Sequence, residues 1–196
     1  MIRKIIFGGL THQPLSTFLN VILLAFGTTI ISLILVLNYS YNKKIAKDLN
    51  NIDLVVGAKG SPLQLVLSAV YQLDEPTGNI SMEDVNLLKK DKNIKSIIPL
   101  AYGDNFKGYR ILGTDHSYLK KYNASLKNGK FFEKNYEVVL GHDVAKRSKL
   151  TVGETFLGNH GNNIDAESHV SHPYEIVGIL NKTESVLDFL ILSNVN

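Results

Sequence analysis

Residues 15–37 read "LSTFLNVILLAFGTTIISLILVL", and this stretch decides the architecture of the chain. No Asp, Glu, Lys or Arg occurs between Lys4 and Lys43. A helix over these residues is about 35 Å long at about 1.5 Å per residue, enough to cross a hydrocarbon core of about 30 Å. The helix of a soluble domain keeps a charged face, and a signal peptide has a shorter apolar run before a small-x-small cleavage site. The stretch therefore predicts a transmembrane helix.

The orientation of this helix is not set by charge alone. Arg3 and Lys4 precede it and three lysines follow it closely, so the positive-inside rule gives nearly a tie. The short segment before the helix combines apolar residues with two cations, which is typical of a segment on the membrane surface, and is easiest to leave in the cytoplasm. We predict a cytoplasmic or interfacial segment over 1–14, a transmembrane helix over 15–41 and an extracytoplasmic domain over 42–196. The membrane is then the inner (plasma) membrane, with the domain facing the periplasm or the outside.

The rest of the chain alternates between helical and strand patterns, which predicts an α+β domain. Ser61 and Pro62 favour a helix start, and Ser81 with Asp84 resembles a capping box. Gly103, between two strand-like runs, begins a predicted hairpin turn over 103–105. The predicted elements are a strand at 52–58, helices at 61–73 and from Ser81, the hairpin, a helix at 116–122, a strand at 137–141, a helix at 142–150, and strands near 174–180 and 187–193.

Composition and motifs exclude several classes of function. The net charge is only +3 and the lysines are scattered, so a nucleic-acid partner is not expected. The absence of cysteine excludes disulfides and thiolate metal sites. Gly57 to Ser61 is not a phosphate-binding loop, because Lys59 precedes the second glycine. Gly-x-Ser-x-Gly and His-Glu-x-x-His are both missing, so we expect no catalytic residues and no enzyme activity in this chain.

Residues 156–180 hold half of the chain's six histidines. His160, His169 and His172 lie within thirteen residues, with Asp165 and Glu167 between them. Imidazole is a common zinc ligand, and a carboxylate supplies a fourth ligand or orients the others. Spacing alone leaves two interpretations open, a metal site and an exposed polar loop.

Two blocks of sequence resemble a known family. The helix followed by "NIDLVVGAKGSPLQLVLSAVYQLDEPTGNI" (51–80) resembles the amino-terminal part of ABC-transporter permeases of the MacB/FtsX/LolC superfamily. "NGKFFEKNYEVVLGHDVAKRSKLTVGETF" (128–156) and "YEIVGILNKTESVLDFLILSNV" (174–195) resemble that family's extracytoplasmic core. The resemblance covers essentially the whole chain. It implies one membrane helix followed by a mixed α/β extracytoplasmic domain of two lobes.

The resemblance also implies a function. Such permeases work as dimers with a separate ABC ATPase, whose ATP hydrolysis moves the extracytoplasmic domain to handle a lipoprotein, peptide, drug or metal-related substrate. The three carboxy-terminal membrane helices of the family are absent from these 196 residues, so we expect a fragment or a truncated product. The alternative is a membrane-anchored metal-binding or regulatory module without transport activity.

The histidine stretch also matches a pattern of this family, Gly-x-His-Gly followed by His-x-x-His-Pro-Tyr. The matching residues here are Gly158, His160, Gly161, His169, His172, Pro173 and Tyr174. We hypothesise that His160, His169 and His172, assisted by Asp165 or Glu167, bind zinc.

Overall fold

The computed structural model describes residue 8 and residues 12–49, 52–160 and 172–195. The chain forms two compact units, one ending at Lys47 and the other running from Asp48 to Asn196. Helix α1, Pro14–Leu49, forms almost all of the described part of the first unit. Residues Pro14–Lys43 of this helix are long and apolar enough to cross a membrane, with a mean hydropathy of 2.4.

The apolar side chains of the described part of α1 are not packed in a protein core. None of the most apolar window of the helix is buried, and residues such as Leu24 and Phe26 are largely exposed. The hydroxyls of Thr28 and Thr29 donate to the carbonyls of Leu24 and Ala25, so these polar groups are satisfied within the helix. Internal satisfaction of polar groups is what a lipid environment requires. The helix runs on beyond residue 41, where we predicted the membrane span to end.

The second unit is a mixed α/β domain, which confirms the predicted α+β class. Its helices are α2 (Pro62–Ala69), α3 (Met82–Lys90), α4 (His116–Lys121) and α5 (His142–Ser148), with a 3-10 turn at Val186–Phe189. Its strands are β1 (Leu100–Phe106), β2 (Tyr109–Thr114), β3 (Leu126–Gly129), β4 (Glu137–Leu140), β5 (Thr155–Phe156), β6 (Asn159–His160), β7 (Tyr174–Leu180) and β8 (Ile191–Asn194).

One sheet contains all eight of these strands. Its order is β3-β7-β4-β8-β2-β1-β6, and β5 pairs with the beginning of β7. The pairs β4–β7 and β8–β2 are parallel, whereas β4–β8, β2–β1, β1–β6 and β3–β7 are antiparallel. The β5 strand therefore pairs with β7 and the β6 strand with β1, which is separated from β7 by three strands, although only Leu157 and Gly158 separate β5 from β6 in sequence.

Both faces of the sheet are covered. Successive residues of one strand enter different apolar clusters, as Val138 and Val139 of β4 do, because strand side chains alternate between faces. One cluster packs beneath α4 and the 3-10 turn and includes Phe132. The other packs beneath α5 through Val144. Near-continuous burial explains why 137–140 and 174–180 were predictable as strands.

The predicted turn at residues 103–105 is wrong, although the hairpin itself is confirmed. The turn is made by Lys107 and Gly108, with φ of 50° and 83°. Two-residue hairpin turns whose twist matches that of the flanking strands require positive φ at both central residues. Glycine adopts a positive φ without strain. Gly103 and Asp104 lie inside β1, where the register shifts between Tyr102 and Asn105.

Two further expectations are corrected near the start of the domain. Residues 52–58 form no strand in the structure, and Thr77 Oγ1 donates to the carbonyl of Ala58 at 2.7 Å instead. The helix predicted at 61–73 ends at Ala69, and Gln72 then has a φ of 58°. Leu73 consequently points to solvent, with 74% of its surface exposed. Propensity alone favours a strand at 52–58, but no edge of the sheet pairs with these residues. It also favours a helix through residue 73, but the backbone leaves the helical conformation after Ala69.

Residues 187–193 are also not one strand. The 3-10 turn occupies the first part, and β8 begins only at Ile191. Asp188 forms this turn because its carboxylate accepts hydrogen bonds from the backbone amides of Thr183 and Glu184, both at 2.8 Å. Ser81 caps its helix as predicted, since Ser81 Oγ accepts from the Asp84 amide at 3.1 Å.

Candidate functional site

A groove lies where the beginning of β7 meets β1. Tyr174 Oη donates a hydrogen bond to Asp104 Oδ2 at 3.0 Å. Strands β4, β8 and β2 separate β7 from β1 in the sheet. The sheet therefore curls until its two sides meet, and the groove opens at this meeting point.

Aromatic side chains line the seam between the two sides of the sheet. The Phe156 ring, on β5, packs against Phe106 of β1 with ring centroids 4.4 Å apart and stacks on Tyr174 at 5.6 Å. Tyr136 lies 5.7 Å from Tyr174 and stacks face to face on His172, with centroids 4.9 Å apart and planes inclined by 12°. Rings packed in this way fix the positions of the side chains around the groove.

The groove has a volume of about 450 Å³. Much of its floor consists of small residues, whereas Asp104, Tyr136, His172 and Tyr174 supply larger side chains. The lining residues are Ala101, Tyr102, Gly103, Asp104, Ile111, Gly113, Tyr136, Gly158, His172, Tyr174, Ser193, Asn194 and Val195.

Gly158 is required at the seam for steric reasons. A Cβ at this position would lie 2.9 Å from Asp104 Oδ2 and 2.9 Å from Tyr174 Cε2. Gly158 and Tyr174 both belong to the family pattern noted in the sequence. The structure shows that they contribute to one contact, with Asp104 between them.

Of the five predicted metal ligands, the structure describes the side chain of His172 and only the backbone of His160. His172 is exposed at the rim of the groove and stacks on Tyr136. His160 is paired by its backbone with Asp104, in the antiparallel ladder of β6 and β1. The other three, Asp165, Glu167 and His169, lie outside the described residues, as does Gly161 of the family pattern. Within the described ranges, no three His, Asp or Glu side chains converge as metal ligands do.

Sequence reasoning missed Asp104 and Tyr136. Asp104 was assigned to a turn because Gly103-Asp104-Asn105 has turn composition, and only the observed register places it opposite His160. Tyr136 has a φ of 65°, which is rare for a residue with a side chain and has no sequence signal. Burial, and after it the nearby Asp104 carboxylate, raises the pKa of Tyr174. Its hydroxyl therefore stays protonated as a donor.

Glu137 fixes the backbone next to Tyr136. Its buried carboxylate accepts hydrogen bonds from the amides of Glu133 at 2.7 Å and Lys134 at 3.0 Å, and it pairs with Lys130 Nζ at 3.1 Å. These hydrogen bonds and the lysine lower the pKa of Glu137 to about 2. Because Glu137 is the first residue of β4, this network ties the 130–136 loop to the sheet.

A second feature of functional interest is the docking segment, residues 52–74, which follows the membrane helix in the chain. Tyr102 Oη donates to the carbonyl of Ser68 at 2.7 Å, and Gln72 Nε2 donates to Tyr118 Oη at 3.4 Å. Burial raises the pKa of Tyr102 to about 12, which keeps this phenol a donor. Among the described residues, neither apolar core cluster includes a member of the docking segment. Hydrogen bonds therefore connect this segment to the sheet, and its Val70 side chain is buried as well.

Residues 17–194 match the family described as the MacB-like periplasmic core domain. No curated protein matches the chain significantly.

Two solved structures are similar to the chain. The extracellular domain of the noncanonic ABC-type transporter YknZ from Gram-positive bacteria is 15% identical with a TM-score of 0.42, covering 60% of this chain and 63% of that one. The chain thus spans less than two thirds of that domain. The periplasmic region of MacB from Actinobacillus actinomycetemcomitans is 17% identical with a TM-score of 0.45, covering 76% of this chain and 70% of that one.

The family match includes most of the apolar helix together with almost the whole described part of the domain that follows it. The resemblance seen in the sequence blocks is therefore confirmed, and the chain belongs to the family of MacB-like periplasmic core domains.

Proposed function

We propose that this chain is the permease-subunit portion of a mechanotransmission-type ABC transporter. A separate ATPase hydrolyses ATP in the cytoplasm, and the membrane helix passes the resulting movement to the extracytoplasmic domain. The observation that carries this proposal is the single family match over residues 17–194, which joins an apolar helix to the core domain without a break. The substrate is a lipoprotein, peptide, drug or metal-related compound, and the complete permease works as a dimer.

The docking segment is suited to pass on such movement. It follows α1 directly in the chain, and its contacts with the sheet include hydrogen bonds such as that of Tyr102 to the Ser68 carbonyl. Hydrogen bonds exchange partners at a small net cost, of about 0.5–1.5 kcal/mol each. A segment attached in this way can shift on the sheet while both apolar clusters stay intact.

The gene tests the transport proposal first. Reading the gene beyond codon 196 is expected to show three further apolar spans and a neighbouring ATPase gene. A stop codon at that point would favour the alternative, a membrane-anchored metal-binding or regulatory module. Coexpression of the complete permease with the ATPase is then expected to give ATP hydrolysis that depends on both subunits.

Distance measurements test the movement itself. The chain has no cysteine, so cysteines can be introduced at exposed positions for spin labels without removing native ones. Labels at Leu54 in the docking segment and Lys127 on β3 are expected to change separation when the assembled transporter binds ATP. Labels at Lys127 and Lys146, both attached to the sheet layer, serve as the control and are expected to keep their separation. An unchanged 54–127 distance would contradict movement of the docking segment.

Topology needs its own test. A reporter active only outside the cytoplasm, fused after residue 196, is expected to be active. Deletion of residues 1–42 is expected to release the domain from the membrane. Activity of a cytoplasm-specific reporter at the same position would contradict the orientation.

A further inference from the structure

The most exposed apolar side chains of the domain are concentrated at its beginning. Among the large apolar residues described in 52–195, the five most exposed have 65% to 75% of their surface in solvent. They are Leu54, Leu63, Leu73, Met82 and Leu87. Single exposed apolar residues are common on protein surfaces, so neighbouring groups must indicate what covers one of them. Helix α3 provides such groups around Leu87.

Helix α3 has one side on the domain and the other in solvent. Val85 is buried and Leu88, three positions later, is half-buried, so these two residues attach the helix to the domain. The residues of the opposite side are all exposed, and they share one face because they are three or four positions apart. This α3 face consists of Glu83, Asn86, Leu87 and Lys90.

The α3 face is complementary in charge to a second copy of itself. It begins with an acid, Glu83, and ends with a base, Lys90, and the point midway between them lies between Asn86 and Leu87. When two such helices pack antiparallel about a two-fold axis through that point, Glu83 of each copy lies opposite Lys90 of the other. A two-fold axis makes every contact twice, so both charge pairs form together. Leu87 lies at the centre and is covered by the other helix.

The helix dipole explains only part of this arrangement. It favours acids in the first turn and lysines in the last turn, as α3 has them. It gives no reason for a leucine between them with 66% of its surface exposed. Neither Glu83 nor Lys90 has an ion-pair partner among the described residues. A second copy of the α3 face supplies a cover for Leu87 and a partner for each charge.

We propose that the α3 face is a contact between two copies of this chain, with the two α3 helices antiparallel. The contact rests on the permease dimer of the proposed function, because a helix of nine residues is too small to hold a dimer by itself. Each partner of a stable interface typically buries about 800 Å². The α3 contact therefore names one part of the domain that meets the second copy, and its opposite charges set the antiparallel register.

Disulfide cross-linking of the full chain in membranes tests the contact. The chain has no cysteine, so one introduced cysteine reports on one position. Packed helices have axes about 8–10 Å apart, which places Cα atoms at the centre of the contact within reach of a disulfide, about 4.4–6.8 Å. Leu87→Cys is therefore expected to give a covalent dimer on oxidation with copper phenanthroline.

Leu63→Cys is the matched control for Leu87→Cys. Leu63 is also a leucine at the surface of a helix, with 67% of its surface exposed, but it belongs to α2. Its cross-linking is expected to be at least about fivefold slower, because only cysteines that face each other in the dimer have a high effective concentration.

Exchange of the two charges separates the contact from the stability of α3. In the Leu87→Cys chain, Glu83→Lys places like charges opposite each other twice and is expected to slow cross-linking at least about threefold. Adding Lys90→Glu restores both pairs, so the rate is expected to return to within about twofold of its starting value. Both substitutions oppose the helix dipole, so a loss caused by a weakened helix would be larger in the double variant and not smaller.

Light scattering of the full chain in detergent distinguishes failure of this contact from failure of the permease dimer. A dimer in which Leu87→Cys cross-links no faster than Leu63→Cys would overturn the α3 contact and leave the dimer in place. A monomer would overturn both. The α3 contact would also be overturned by a loss in Glu83→Lys that Lys90→Glu does not restore, or by a cross-linked product whose mass shows a different protein as the partner.

Discussion

Tyr174 and Asp104 are seventy positions apart in sequence, yet the tyrosine hydroxyl donates to the carboxylate at 3.0 Å. Three strands lie between β7 and β1 in the sheet order. Four strand spacings of about 4.8 Å would hold the two strands about 19 Å apart in a flat sheet. The hydrogen bond therefore reports how strongly the sheet curls, and it ties the two sides of the sheet together beside the groove.

Loss of this hydrogen bond should weaken the domain. Tyr174→Phe is expected to lower the free energy of unfolding by about 1–2 kcal/mol, because a bond to a charged acceptor is lost in a partly buried position. Chemical denaturation of the full chain in detergent, followed by the near-ultraviolet circular dichroism of its tyrosines, measures the change. Tyr109→Phe removes a hydroxyl with no hydrogen bond recorded among the described residues and is the control. Equal losses in the two variants would contradict a specific role for the contact with Asp104.

A side chain at residue 158 should force the seam apart. Gly158→Ala is expected to destabilise the domain by about 1–3 kcal/mol, since its Cβ would meet Asp104 and Tyr174 at 2.9 Å. Gly103→Ala is the matched control, because nothing lies within 4 Å of a Cβ at that position of β1. Thermal denaturation midpoints of the two variants give the comparison. The steric account would be wrong if both alanines had the same effect.

Stability in acid should depend on Glu137. The carboxylate has its pKa lowered from 4.5 to about 2 in the folded chain, so it stabilises the fold above pH 4.5 and loses this contribution as the pH falls from 4.5 towards 2. Glu137→Gln is expected to be less stable at neutral pH and to show a shallower loss of stability between these pH values.

Denaturation midpoints measured across this pH range test the expectation for Glu137. Glu83→Gln, at an exposed position of α3, gives the effect of removing one negative charge without removing the hydrogen-bond network. Parallel pH curves for the native chain and Glu137→Gln would show that the network does not contribute to stability.

The docking segment should loosen without unfolding of the sheet. Tyr102→Phe removes the 2.7 Å hydrogen bond to the Ser68 carbonyl, so amide hydrogen exchange is expected to accelerate in residues 62–74 and to stay unchanged in β4 and β7. Mass spectrometry of exchanged peptides measures this. Tyr71→Phe is the control within the same segment. Faster exchange throughout the sheet would mean that Tyr102 supports the whole fold and not the docking of this segment.

Much of the fold was predictable because its elements carry local signals. The buried strands at 137–140 and 174–180 are continuous apolar runs, and Ser81 caps its helix as the sequence suggests. The signals failed where the outcome depended on a distant partner. Residues 52–58 have strand propensity but pair with no sheet edge, and Gly103-Asp104 has turn composition but lies inside β1.

The candidate site was predictable only in part for the same reason. The clustering of His160 and His172 and the positions of Gly158 and Tyr174 were visible in the sequence. Asp104 could not be connected with them, because it is 56 positions before His160 and is brought opposite it by the pairing of β1 with β6. Tyr136 has an unusual backbone conformation that its residue type does not indicate.

The sequence by itself determined the apolar helix, the α+β class and the family, because each rests on composition, periodicity or recognisable blocks that are read along the chain. Only the tertiary structure decided that the sheet curls until Tyr174 reaches Asp104, and that Gly158 must lack a side chain there. The physical reason is that sheet curvature is the sum of small twists over many strand pairs. No local stretch encodes that sum, so the groove exists only once the strands are paired.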